Sequence, residues 1–107
     1  MKQNELYFAA VSGVDKLCRK RRPDIDAVER LLTVCAFLSL VDDLKYAEFK
    51  IEYDTGSGEA SVVVRDYFAI CGEGLHRFAS AVANCDELKL SCADDQVAAR
   101  FTVYGVW

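Results

Sequence analysis

Proline and glycine are scarce in this chain, which has one proline and six glycines among its 107 residues. That composition excludes collagen-like and low-complexity chains. Long apolar runs are also missing, because the longest, over residues 31–41, is interrupted by Thr33 and Ser39. A membrane-spanning helix needs about 20 apolar residues. We therefore interpret this run as a buried core segment and expect no membrane partner.

Histidine occurs once, at His76, and no serine or aspartate stands in a recognisable triad arrangement with it. The sequence therefore gives no support for a hydrolase triad. None of the cysteines has a second cysteine at the short interval that structural zinc sites favour. We predict no metal site and no other cofactor. The five cysteines are Cys18, Cys35, Cys71, Cys85 and Cys92.

The cysteine count is odd, so the thiols cannot all pair within one chain. The residues that follow Met1 mix polar and apolar side chains and form no signal-peptide core. Both observations favour a reducing compartment. We expect a cytoplasmic protein whose thiols are mostly free.

The composition is that of a globular protein, with 52% apolar and 28% charged residues. The length suits one domain, which we expect to span residues 1–107. The formal charge of −4 argues against bulk attraction to nucleic acid. The charge is uneven, however, because residues 1–22 carry six basic and two acidic side chains. Nucleic-acid binding through the basic cluster is therefore one functional hypothesis. The basic cluster consists of Lys16, Arg19, Lys20, Arg21 and Arg22.

Two helices are predicted at the amino-terminal end of the chain. Apolar residues recur with helical spacing over residues 3–21, and Pro23 is expected to end that helix. Asp26 and Glu29 have the spacing of a capping box at the start of the second helix. From Leu31 onward this second helix is apolar almost all round, which is typical of a central helix covered on several sides.

Beyond these helices the apolar period changes from 3.6 to 2, which indicates strands. Alternating segments flank a turn at residues 55–58 and predict a β-hairpin. A short helix near residues 75–84 leads to a second hairpin over residues 87–104. We therefore predict an α+β fold in the order ααββαββ, in which an N-terminal helical hairpin precedes two β-hairpins joined by a helix. The four-stranded sheet should be mainly antiparallel, with helices on one face.

One segment has the residue types of an anion-binding loop. Cys71 is followed by five residues and then Arg77, with Gly72 and Gly74 between them. This Cys-x5-Arg loop resembles the phosphate loop of Cys-dependent phosphatases and, less closely, the active loop of rhodanese-type sulfurtransferases. The resemblance implies a nucleophilic Cys71, an anion nest shaped by Gly72 and Gly74, and a clamping Arg77. Isoleucine precedes the cysteine here, where those phosphatases place histidine.

A thiol-dependent enzyme acting on phosphate or sulfur groups is therefore an alternative hypothesis. In the structural interpretation of the same residues, the glycines form a turn, Cys71 is a small core residue and Arg77 is a solvated helix residue. The chain offers no strand and helix alternation of the kind that those enzymes build around a parallel sheet.

Aromatic and β-branched residues fall on the predicted non-core face of the sheet. Such residues on an otherwise polar face are typical of a protein contact. The alternative is that the amino-terminal helices cover this face. We predict a small non-catalytic interaction or regulatory module with a protein partner, which includes a homodimer formed through the sheet. The candidate interface residues are Val63, Tyr67, Tyr104, Val106 and Trp107.

Overall fold

The computed structural model describes residues 1–65, 73–93 and 96–107. Within them, three α-helices and four antiparallel strands in one open sheet confirm the predicted α+β order. A single 3-10 turn, Asp42–Leu44, follows the second helix. The elements are α1 (Gln3–Cys18), α2 (Ile25–Ser39), β1 (Glu48–Asp54), β2 (Glu59–Arg65), α3 (Glu73–Asn84), β3 (Glu87–Ala93) and β4 (Gln96–Val103).

The strands lie in the order β1-β2-β4-β3, and every neighbouring pair is antiparallel. The last strand of the second hairpin, β4, therefore lies next to β2 of the first hairpin, and β3 lies at the edge of the sheet. This order makes β2 and β3 parallel to each other, with β4 between them. The segment that contains α3 connects these two strands, as a crossover connection requires.

The core lies between one face of the sheet and the helices. Alternate residues of β1, β2 and β4 point toward the helices, because side chains on a strand alternate between its faces. Phe101 in β4 is the largest fully buried side chain among the described residues, and the Phe78 ring of α3 meets it edge-on at 5.3 Å between centroids. The buried apolar residues of the described strands are Phe49, Ala60, Val62, Val64, Ala99, Phe101 and Val103.

The first helix is shorter than the sequence indicates. The prediction ran to residue 21, but α1 ends at Cys18 and Arg19 is its C-cap. The backbone N–H groups of Lys20 and Arg21 both donate to the Leu17 carbonyl, closing a turn. Consecutive cations repel one another, and the residue before proline disfavours helical backbone. The basic cluster therefore extends past the end of the helix.

The start of α2 also differs from the prediction. Asp24 is the N-cap, and its carboxylate accepts a hydrogen bond of 3.1 Å from the Ala27 N–H. The predicted capping box of Asp26 and Glu29 was wrong. Asp24 has extended backbone, with φ −84° and ψ 116°, and an N-cap residue needs that conformation.

The carboxyl-terminal segment ties the helices to the first hairpin. The Val106 carbonyl accepts from the Asp24 N–H at 2.7 Å, and the Val106 N–H donates to the Gly58 carbonyl at 2.8 Å. Gly58 ends the predicted turn with a φ of 78°, which favours glycine. A side-chain carbon at this position would also meet the Trp107 carbonyl oxygen at 2.7 Å.

Candidate functional site

The outer side of α2 carries an apolar groove. It measures about 540 Å³ and lies between α2 and Tyr7 of α1. Leu40 is 56% exposed and Tyr7 is 42% exposed, while Leu32 and Phe37 are half-buried. We call this surface the α2 groove. Its lining residues are Tyr7, Glu29, Leu32, Thr33, Ala36, Phe37 and Leu40.

The groove exists because α2 is apolar on two opposite sides. One side faces the sheet and is buried through residues such as Leu31, Val34 and Leu38. The opposite side has apolar residues at helical spacing, including Leu32, Ala36 and Leu40. Flanked by α1 and α3, the helix has three covered sides. Within the described residues, no fourth layer covers the outer side.

The charges around the groove lie at its two ends. Glu29 lines the amino-terminal end of the α2 stripe. At the other end, the Arg77 guanidinium donates a 2.8 Å hydrogen bond to the Leu40 carbonyl oxygen. That contact satisfies a carbonyl at the end of α2, where cations also interact favourably with the helix dipole. Among the described residues, neither Glu29 nor Arg77 has an ion-pair partner.

The one hydroxyl in the α2 stripe is satisfied by the helix itself. The Thr33 Oγ1 donates to the Glu29 carbonyl at 2.7 Å. Its methyl group is therefore free to join the apolar surface, and burying Thr33 would leave no hydroxyl donor unpaired. Ala36 is the smallest residue of the stripe.

The outer face of the sheet has the opposite character. The Arg100 guanidinium contacts the Glu52 carboxylate at 2.6 Å, and Lys50 contacts the same carboxylate at 3.1 Å. The hydrogen bond from Arg100 and the one from Lys50 hold the pKa of Glu52 below its usual range. Ser61 and Thr102 share a buried hydrogen bond of 3.0 Å between the two central strands. The polar groups of this face are thus largely paired within the chain.

The predicted interface residues are split between the two sides of the domain. Val63 and Tyr104 lie on the outer face of the sheet, where the Tyr104 hydroxyl donates to the Glu87 carboxylate. Val106 was assigned to the interface wrongly, because it is completely buried in the core. Trp107 packs on the core side, 5.7 Å from the Tyr53 ring centre. The chain turns after β4, so the strand alternation does not continue to these last residues. Tyr67 lies outside the described residues.

The predicted anion-binding loop is described only in part. Cys71 and Gly72 lie outside the described residues, while Gly74 and Arg77 belong to α3. Gly74 is therefore helical. The guanidinium of Arg77 is directed to the end of α2 through its bond to Leu40. His76 is exposed on α3.

The basic cluster lies on the surface at the end of α1. All five of its side chains are exposed, and the structure brings them together at the end of α1. Only Arg19 makes an ion pair within the described residues, at 3.3 Å to Asp15 on the preceding turn. No aromatic side chain follows the cluster in the residues up to Asp24. The stacking platform of many single-strand binders is therefore missing from this segment.

The described thiols differ in exposure. Cys18 and Cys92 are exposed, Cys85 is half-buried and Cys35 is buried in the core, and all four are free thiols. Burial raises the pKa of Cys35 to about 12 and also raises the pKa of Cys85. Within residues 1–65, 73–93 and 96–107, no three His, Cys, Asp or Glu side chains form a cluster that could hold a metal ion.

Sequence reasoning missed the α2 groove. The apolar run over residues 31–41 is predicted as a buried core segment, but Leu40 is exposed and Leu32 and Phe37 are only half-buried. The available signal was the second apolar stripe on α2, opposite the one that faces the sheet. A helix with two apolar stripes needs a packing surface for each of them, and the described residues of this domain cover only the stripe that faces the sheet.

Among the described helices, none is long and apolar enough to cross a membrane. Comparison with known proteins produced no match to a family model, a curated protein or a solved structure.

Proposed function

We propose that this protein is a small non-catalytic interaction module of the reducing cytoplasm, which binds a protein partner through the α2 groove. The observation that carries the proposal is the apolar stripe of α2, in which Leu32 and Ala36 are half-buried, Leu40 is exposed, and Tyr7 of α1 forms one wall. Exposed apolar surface bordered by polar residues is typical of a binding site for protein. The four free thiols support the compartment.

The shape of the groove favours a helical partner. Helix-in-groove recognition uses apolar side chains at helical spacing on one element and an apolar furrow on the other. Full burial of a leucine side chain contributes about 1.5–3 kcal/mol relative to leaving it exposed. Leu40 is 56% exposed, so a partner that covers it has about half of that energy available.

The groove does not have the chemistry of an active site. Catalytic sites bring several titratable groups together in one cavity. The α2 groove is lined by one ionisable carboxylate, Glu29, and by Tyr7, and its other residues are apolar apart from Thr33. Binding without turnover is what this lining supports.

The outer face of the sheet is a weaker docking surface. A partner there would have to separate or bury the contacts that Arg100 and Lys50 make with Glu52. Burying an ion pair costs desolvation energy that its mutual attraction often fails to offset. In the α2 groove no ion pair between described residues has to be separated, and the Thr33 hydroxyl is already hydrogen-bonded to its own helix.

Site-specific photocrosslinking in the native cells tests the proposal. A photoreactive phenylalanine analogue replaces Thr33 in the groove, and a matched control places it at Lys89, which is exposed on the outer sheet face. We expect a discrete protein adduct from position 33 and none from position 89. The adduct should disappear when Leu40→Asp is added. The new carboxylate lies at an exposed position, so it makes the apolar surface charged without entering the core.

Two results would contradict the proposal. One is the lack of any adduct from position 33 in cells where the chain is folded and abundant. The other is an adduct from position 89 that persists in the Leu40→Asp variant, which would move the binding surface to the sheet.

A further inference from the structure

The α2 groove has a stripe that is complementary to itself. It runs from Glu29 to Leu40, which is about 17 Å along a helix. We propose that the partner of the groove is a second copy of this chain, with α2 packed antiparallel on α2 about a two-fold axis. This inference rests on the proposed function and names the partner for the same site. Two-fold contacts use one surface twice, so the surface must match itself after rotation.

The residues of the stripe meet that condition when the axis crosses α2 midway between residues 34 and 35. Thr33 then faces Ala36 of the other copy, so the two smallest residues of the stripe lie at the centre. Small residues there allow the helices to approach closely, within the 8–10 Å that is usual for packed helices. On each side of the centre, Leu32 faces the other copy's Phe37, which places apolar side chains against each other.

The charges at the ends match in the same arrangement. Glu29 of one copy faces Leu40 of the other, and the carbonyl of that leucine holds Arg77. Each copy therefore brings an acidic group next to a basic group that has no ion-pair partner among its own described residues. The pairing occurs twice by symmetry. A parallel arrangement would instead place the two Glu29 side chains together at one end.

The contact is small for a stable dimer. It consists of one helix pair with Tyr7 at its side, which lies at the lower end of specific interfaces. We expect a dissociation constant on the order of micromolar, so the dimer should form and separate with concentration. Such an equilibrium is suited to measurement by sedimentation.

A charge exchange tests the register. Glu29→Arg places a second guanidinium against that of Arg77 in a homodimer, and Arg77→Glu places two glutamates together. Each variant alone should therefore weaken self-association, by about tenfold or more for two repulsive contacts. In an equimolar mixture, one end of the mixed dimer pairs the arginine introduced by Glu29→Arg with the glutamate introduced by Arg77→Glu, and the other end pairs the unchanged Glu29 with the unchanged Arg77. Both ends are then attractive, so association should recover toward the wild-type value. Sedimentation velocity over a concentration series measures all three samples, with Lys89→Glu as the matched surface control.

Recovery in the mixture supports the antiparallel register, since a change in folding of either variant could not produce it. Circular dichroism of each variant confirms that the mixed chains are folded. The inference is overturned if the wild-type chain stays monomeric at millimolar concentration, or if Lys89→Glu weakens the dimer and the groove variants do not. A monomer that still gives an adduct from position 33 to a different protein would overturn only this inference and leave the proposed function standing.

Discussion

Gly13 on α1 lies directly against the ring of Tyr53 on β1. A side-chain carbon at position 13 would be 2.8 Å from Cε2 and Cζ of that ring, and the tyrosine hydroxyl is nearer still. The hydroxyl also donates to the Ala10 carbonyl at 3.4 Å. Burial raises the pKa of Tyr53 to about 12. Glycine at this helical position is what lets α1 approach the sheet edge.

We expect Gly13→Ala to destabilise the fold despite the better helix propensity of alanine. Propensity favours alanine by about 1 kcal/mol, whereas overpacking of a tight contact costs about 1–3 kcal/mol. Urea unfolding followed by the fluorescence of Trp107, the single tryptophan, measures the net loss. Ser12→Ala is the matched control on the exposed side of α1 and should be neutral or stabilising. Equal stabilisation by both substitutions would contradict the contact.

Asp86 joins the helical layer to the end of β4. Its carboxylate contacts the Arg30 guanidinium at 2.6 Å and accepts from the Tyr104 N–H at 2.8 Å. The side chain is 29% exposed, so the pair is partly shielded from water. Asp86→Ala should lower the free energy of unfolding by about 1–2 kcal/mol, because it leaves a charge and a backbone donor without their partner.

Two variants calibrate the Asp86 result. Asp86→Asn keeps an acceptor for the backbone of Tyr104 and should cost less than the alanine variant. Asp43→Ala in the exposed 3-10 turn should change the unfolding free energy by no more than about 0.5 kcal/mol. Equal losses for Asp86→Ala and Asp43→Ala would mean that the contacts of Asp86 contribute nothing measurable.

The Glu52 carboxylate should make the free energy of unfolding fall as the pH becomes acidic. Its pKa is lowered in the folded chain by the hydrogen bond from Arg100, so the unfolded chain takes up the proton first as pH falls. The stabilisation is therefore present at neutral pH and is lost as pH falls through the ordinary glutamate pKa of about 4.3 and below it. Glu52 is 37% exposed, so the contribution should be below about 1 kcal/mol.

The corresponding measurement compares unfolding free energies at pH 7 and pH 3. Glu52→Gln should be less stable than the wild type at pH 7, and the difference should shrink at pH 3. Glu59→Gln on the neighbouring strand is the control for loss of a carboxylate from the same face. A difference that stays constant with pH would show that Glu52 acts through packing and not through its charge.

The thiols should react in the order of their exposure. At pH 8 an alkylating reagent should modify Cys18 and Cys92 first, Cys85 more slowly, and Cys35 only after unfolding. The thiolate is the reactive form, and burial raises the pKa of Cys35 to about 12. Mass spectrometry of native and denatured samples resolves the individual sites. Rapid native labelling of Cys35 would contradict its burial.

The same labelling tests the hypothesis of a thiol-dependent enzyme. Cys71, which lies outside the described residues, should label rapidly near pH 6 if its loop is an anion nest, because such a nest lowers a thiol pKa. Turnover of an aryl phosphate that is lost in Cys71→Ser would then establish the activity. Slow labelling of Cys71 at every pH would remove the basis of that hypothesis.

Local pattern was sufficient to predict the described helices and strands in their correct order. Alternation of apolar residues defined the strands on either side of the turn that ends at Gly58, and the spacing of apolar residues defined α2. The ends of elements were less predictable. The end of α1 at Cys18 depends on hydrogen bonds from residues 20 and 21 to Leu17, and several residues there could have served as the cap.

The interface residues show where local reasoning fails. In the sequence, Val106 continues the in-and-out alternation of β4 and should point outward. In the structure the chain turns, the Val106 N–H donates to the Gly58 carbonyl, and the side chain enters the core. Tyr104, which precedes that turn, lies on the outer face as its strand position indicates. A two-residue period is informative only while the backbone stays extended.

The α+β class, the element order and the polar outer face of the sheet can all be predicted from the sequence. These properties follow from periodicity and residue type, which act over a few neighbouring positions. The tertiary structure alone decided the strand order β1-β2-β4-β3 and which apolar stripe of α2 stays uncovered. Both depend on contacts between residues far apart in the chain. In the sequence, the stripe from Leu32 to Leu40 has the pattern of a core segment. In the structure it is an apolar surface that no other described element covers completely, because coverage depends on how the helices and the sheet pack together.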